Sequence, residues 1–114
     1  MTGRGQGHVV RELTPTEFAA QRAAGSDAVL LDVREPWELK VARLAGAVHV
    51  PMAQLAERLA DLDPQREVVV LCRSGARSLA VARLLEARGF RSVANLSGGI
   101  LAWARDVDPS LATY

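Results

Sequence analysis

An α/β fold, with a mostly parallel sheet covered by helices on both faces, is predicted by three observations. Strand-like and helix-like segments alternate along the 114-residue chain, the order that builds βαβ units. The runs Ala28-Val29-Leu30-Leu31-Asp32-Val33 and Glu67 to Leu71 are apolar without alternation, as strands buried on both faces are. Three chemically marked segments fall at the carboxyl ends of such strands, where sites collect in parallel sheets. They are Asp32-Val33-Arg34-Glu35, Cys72 to Ser78, and Ser97-Gly98-Gly99.

Taken in order, His8 to Leu13 reads as a short first strand after a Gly-rich start. Thr14-Pro15-Thr16-Glu17 then opens a helix, with Thr14 as N-cap, Pro15 at the first helical position and Glu17 completing a capping box. That helix runs to about Ala24 and stops at Gly25. Ala28 to Val33 is the second strand, Pro36 to Val41 a short helical turn, and Ala47 to Val50 a third strand ended by Pro51. Met52, Leu55, Leu59 and Leu62 recur at helical spacing until Asp63-Pro64 breaks the pattern. Glu67 to Leu71 is the fourth strand; Val81, Leu84, Leu85 and Arg88 trace a helical face that Gly89 caps. Arg91 to Leu96 supplies the last strand, and Gly98-Gly99 leads into a helix through Trp103. One domain is expected over residues 8–105, with flexible tails at 1–7 and 106–114.

Composition narrows the function classes. A net charge of +1, with cations spread along the chain, removes the electrostatic case for nucleic acid. No apolar run approaches bilayer-spanning length, and Met1 to Gly7 lacks the apolar segment of a signal peptide. One cysteine excludes an internal disulfide framework, and with only His8 and His49 beside it a thiolate–imidazole metal site is not expected. A thiol-reducing, cytoplasmic setting follows.

That cysteine, Cys72, is the candidate nucleophile. It stands where the fourth strand gives way to Arg73-Ser74-Gly75-Ala76-Arg77-Ser78 and the next helix. Unpaired N–H groups and the positive end of a helix dipole at such a position stabilise thiolate over thiol. Gly75 allows a conformation closed to other residues, and small Ser74 and Ala76 keep the backbone close, so the loop can cradle an oxyanion or the outer sulfur of a persulfide. Arg73 and Arg77 are candidates to recruit an anionic substrate; the alternative is that either pairs with Asp32, Glu35 or Glu38.

These residues resemble a known family. Cys72-Arg73-Ser74-Gly75-Ala76-Arg77-Ser78 is similar to the C-x-x-G-x-R-S active-site loop of single-domain rhodanese-like sulfurtransferases. Leu31-Asp32-Val33-Arg34-Glu35-Pro36-Trp37-Glu38 matches the D-x-R-x-x-x-E segment of that family. Leu44 to Pro51 is similar to its G-A-x-x-[IV]-P stretch, and Ser97 to Trp103 to its closing G-G-x-x-x-W. The four ordered motifs cover roughly residues 10 to 104. One departure is Ala42-Arg43, where many members carry Gly-His; that histidine is generally structural, so the change bears on local packing.

The resemblance implies a three-layer α/β/α fold around a five-stranded sheet and a two-step sulfur transfer without metal or cofactor. Cys72 thiolate attacks the outer sulfur of an anionic donor such as thiosulfate, sulfite departs, and a persulfide remains. An external acceptor, cyanide or a thiol on a small molecule or thioredoxin-like protein, then removes the sulfur. Asp32 and Arg34 are expected to brace the loop through hydrogen bonds and an ion pair with Glu38. Trp37 is expected at the pocket mouth or partly in the core, Trp103 in the core, and His49 in a structural hydrogen bond. A dedicated persulfide carrier for one protein partner needs the same loop. A cysteine phosphatase or arsenate reductase places its arginine six positions after the cysteine, whereas Arg77 is at the fifth and Ser78 at the sixth. A docking module of this family often lacks the cysteine that this chain retains.

Overall fold

The structure, a computed structural model, describes residues 9–114; His8 and the expected 1–7 tail lie outside the described residues. Five strands, β1 (Arg11–Leu13), β2 (Val29–Asp32), β3 (Val48–His49), β4 (Glu67–Leu71) and β5 (Ser92–Leu96), form one sheet in the order β1-β5-β4-β2-β3. All four pairings are parallel, with Leu31 beside Val70 and Val70 beside Asn95. The carboxyl ends of β2, β4 and β5 therefore meet at one edge, as the unalternating runs imply.

Both faces of the sheet are buried, which is why β4 shows no polar alternation. Val68, Val70 and Cys72 point to one side with Leu31, Val33, Leu55, Val81, Leu85 and Phe90. Val69 and Leu71 point to the other with Phe18, Leu30, Leu96, Ile100 and Trp103. Each such side chain is worth about 1.5–3 kcal/mol relative to exposure, so the central strands carry much of the stability.

The helices are α1 (Pro15–Ala23), α2 (Pro36–Val41), α3 (Leu55–Arg58), α4 (Ala76–Ala87) and α5 (Gly99–Asp106). The capping box of α1 is present: Thr14 Oγ1 accepts from the Glu17 N–H at 3.1 Å, and the Glu17 carboxylate accepts from the Thr14 N–H at 2.9 Å. Where one helix is expected from Met52 to Leu62, the structure instead has a single α turn, α3, between two 3-10 turns, Met52–Gln54 and Leu59–Asp61. Of the four spaced apolar residues only Leu55 is fully buried. Too little packing is available to hold a continuous α ladder.

The segment after α5, expected as a flexible tail, packs back onto the second core face through Val107, Leu111 and Tyr114. A turn from Asp108 to Leu111 reverses the chain, with the Leu111 N–H donating to the Asp108 carbonyl at 3.1 Å. Partial burial of Val107, Leu111 and the Tyr114 ring, with the hydrogen bonds that Tyr114 makes, seats the segment.

Candidate active site

The turn after β4 is shaped by Gly75, whose φ of +107° lies in the left-handed region at the N-cap of α4. This places the Gly75 N–H 3.0 Å from Cys72 Sγ and the Ser78 hydroxyl 3.2 Å from the same sulfur. Cys72 is only 1% exposed. Burial pushes its thiol pKa up. The Ser78 hydroxyl, when its one proton faces the sulfur, and the N–H groups of Ser78, Gly75 and Ser74 more than offset that, so the pKa is lowered overall.

The loop is also tied from behind. The first N–H groups of α5, free of partners within their own helix, donate to loop carbonyls: Ile100 to Cys72 at 2.9 Å and Leu101 to Arg73 at 3.1 Å. Gly98 and Gly99, both at positive φ, bring that helix end within reach.

Asp32 and Arg34 are both 0% exposed and form an ion pair, Nη2 to Oδ2 at 2.7 Å and Nε to Oδ1 at 3.0 Å. The expected ion pair between Arg34 and Glu38 is not the one formed. Asp32, two residues before Arg34, claims its guanidinium, while Nη1 and the second proton of Nη2 go to the Tyr114 hydroxyl at 2.9 Å and the Ala42 carbonyl at 3.0 Å. Glu38 instead pairs with Arg77 of α4 in a two-bond fork at 2.8 and 2.9 Å. Arg77 is therefore engaged by a carboxylate, the alternative the sequence leaves open. His49 Nε2 lies 2.6 Å from the Arg34 carbonyl, which only accepts, so the imidazole donates.

Arg77 holds the Glu38 carboxyl down to about 2 from its ordinary 4.5, against burial and with help from the Glu35 N–H and the Tyr114 hydroxyl. A carboxyl depressed in the fold stabilises the protein fully above its unfolded pKa, and that contribution is lost as pH falls through the folded one. Between pH 4.5 and about 2, thermal melts of wild type are expected to weaken more steeply with acid than those of Glu38→Gln. Parallel acid limbs would show that Glu38 titrates alike in both states.

Tyr114 is the residue that sequence reasoning misses. Its hydroxyl accepts from Arg34 and donates to Glu38 at 2.7 Å, and its backbone oxygen accepts from Arg73 Nε at 2.7 Å. Its ring meets Trp37 edge-on at 5.6 Å and lies under the Arg73 guanidinium at 5.2 Å. Trp37 is thus at the rim, 58% exposed, and not in the core. No periodicity around Tyr114 signals these contacts. Asn95 is the second omission; an amide inside the apolar run Val93-Ala94-Asn95-Leu96 was the available signal. Of the remaining loop residues, Ser74 and Ala76 are exposed at the rim, and Ser78 is buried beside the sulfur.

The site is thus a lone buried thiol with a lowered pKa, facing N–H donors of its own loop at the edge of a parallel sheet. Residues 14–106 match the rhodanese-like domain family, and the chain belongs to it. A sulfurtransferase of Allochromatium vinosum is 36% identical over 104 residues, covering 91% of this chain and 97% of its own. The chloroplastic rhodanese-like/PpiC domain-containing protein 12 of Arabidopsis thaliana is 44% identical over 92 residues, 77% of this chain. This chain spans 31% of that longer relative. The crystal structure of a rhodanese-like domain protein from Staphylococcus aureus superimposes with a TM-score of 0.80 at 25% identity, covering 92% of this chain and 99% of its own. The five-stranded parallel α/β fold and the family expected from the motifs are both found, and with such relatives the chain is a sulfur-transfer domain of the rhodanese type.

Proposed function

We propose that Cys72 carries sulfane sulfur as a persulfide, taking it from thiosulfate or another anionic donor and passing it to a thiol. The observation that supports this most is the seat of Cys72 Sγ, 3.0 Å from the Gly75 N–H and 3.2 Å from the Ser78 hydroxyl. Thiolate is the attacking form. It forms a bond to the outer sulfur of thiosulfate, whose S–S bond breaks with its electron pair leaving on sulfite. The persulfide so formed is anionic at its terminal sulfur, which the loop N–H groups and the dipole of α4 stabilise. An acceptor thiolate, or cyanide, then attacks the terminal sulfur and Cys72 departs as thiolate, the two halves of a ping-pong cycle.

Arg77 and Arg73 flank the entrance and draw anionic donors toward it, although Glu38 and Tyr114 hold them in the structure. Glu38 steadies the loop directly by holding Arg77, whereas the Asp32–Arg34 pair acts on it through Tyr114, which takes Arg73, and Trp37 borders the entrance. The chain holds one cysteine, so the thiol that accepts the sulfur comes from outside these residues, on a small molecule or a thioredoxin-like protein. Such an acceptor belongs to a reducing compartment, which favours the cytoplasm.

Intact mass after mixing with thiosulfate tests the reading. Wild type is expected to gain about one sulfur atom, removable by cyanide, and Cys72→Ser to gain none while melting at a similar temperature. No gain on wild type, or an equal gain on Cys72→Ser, would refute the thiosulfate-loaded Cys72.

A further inference from the structure

Asn95 sits within β5, 3% exposed, between the core residues Ala94 and Leu96. Its Nδ2 donates to the Glu12 carboxylate at 3.2 and 3.3 Å and to the Gly75 carbonyl at 3.2 Å. Those partners can only accept, which fixes the amide orientation and turns Oδ1 toward Ser78 Oγ at 2.5 Å. An amide oxygen cannot donate, so the Ser78 hydroxyl must. Ser78 has one hydroxyl proton, and the same oxygen lies 3.2 Å from Cys72 Sγ.

The sulfur and the amide therefore compete. While Ser78 donates to Asn95, it can only accept from sulfur, which suits a protonated Cys72. A bare thiolate needs a donor. Serving it turns the Ser78 proton away from Asn95 and leaves Oδ1 buried without a partner, an unfavourable state.

We propose that Asn95 is a positioning residue for Cys72: by holding the Ser78 proton it disfavours the bare thiolate and favours the states in which Sγ carries no charge. The inference rests on the persulfide cycle proposed above and deepens it. When the donor S–S bond breaks and the new one forms, the negative charge passes from Sγ to the terminal sulfur. The inner sulfur is then neutral, and the Ser78 proton returns to Asn95. The contact that disfavours the empty thiolate thus favours sulfur uptake. Ser78 is the relay, and Glu12 with the Gly75 carbonyl keeps the amide from turning over.

The test is the pH dependence of Cys72 alkylation by iodoacetamide, a neutral reagent whose rate follows thiolate and needs no sulfur transfer. It is measured on wild type, Asn95→Ala, Ser78→Ala and the double variant. Asn95→Ala is expected to move the titration to lower pH and to raise the rate below both midpoints on the order of threefold to tenfold. In the Ser78→Ala background that shift is expected to vanish. No shift, an upward shift, or an equal shift in both backgrounds would overturn the proposal, since a merely structural Asn95 does not act through the Ser78 proton. If Asn95→Ala does not fold, Asn95→Asp gives the opposite sign. Its carboxylate accepts more strongly, so the titration rises, and rises more with Ser78 present than in the Ser78→Ala background; equal rises overturn the idea. Intact mass with thiosulfate on wild type separates the two readings. Coupling in the alkylation series without sulfur uptake would leave the proton sharing standing and sink the thiosulfate-loaded persulfide.

Discussion

Asp32→Ala is expected to cost about 3–5 kcal/mol of stability, the usual penalty for stranding one partner of a buried ion pair. Both Asp32 and Arg34 are fully buried. Asp32 is the only carboxylate within salt-bridge distance of Arg34 among the described residues. Its removal leaves a guanidinium with a carbonyl and a phenol as neutral partners and no compensating charge. For a domain of this size the thermal midpoint should fall by at least about 10 °C, read by circular dichroism. Asp32→Asn, which keeps an acceptor without the charge, should fall between. A loss under about 1 kcal/mol would show that Arg34 reaches water or another carboxylate once Asp32 is gone. Because the Arg34 carbonyl holds His49 and its guanidinium holds Tyr114, the damage extends to the entrance of the site.

Gly99→Ala is expected to disable the cysteine loop and to destabilise the fold by about 2–4 kcal/mol, combining left-handed strain with overpacking. At φ +61° an added Cβ would lie 2.3 Å from the Arg73 carbonyl oxygen and 2.5 Å from that of Cys72. Neither atom can withdraw freely, since the same carbonyls receive the first N–H groups of α5. Gly89→Ala is the control: φ is +90° but nothing stands within 4 Å, so only the backbone strain remains, about 1–2 kcal/mol. Melting temperature and sulfur loading of Cys72 measured together on both variants isolate the effect of the clash. Equal behaviour of the two would mean that the Cys72 loop shifts without consequence.

The strands and helix starts were legible because their causes are local. Thr14 and Glu17 cap a helix three residues apart, and Val68 to Leu71 shows by its own apolarity that both its faces are covered. The position of Cys72 between a buried strand and a helix was legible for the same reason. Pairing was not. Arg34 and Arg77 offer the same chemistry to Glu38, and only the turn of the chain after β2 decides that Asp32 takes one and Glu38 the other. Tyr114 joins residues from α2, the segment after β2 and the cysteine loop, contacts no periodicity encodes. The interrupted helix around Leu55 fails for the converse reason: the spacing is present in the sequence, but the packing that would exploit it is not.

The strand order has a consequence for chain growth. β5 lies between β1 and β4, so Arg11 gains its partner Ala94 only after nearly the whole domain has been made. Pairings of such sequence separation close late and slowly. During synthesis Cys72 emerges ahead of Asn95 and of the α5 donors that finish its loop, so the thiol spends that interval without its native cover. A nascent chain of this topology carries its cysteine exposed until the fifth strand and the helix after it dock.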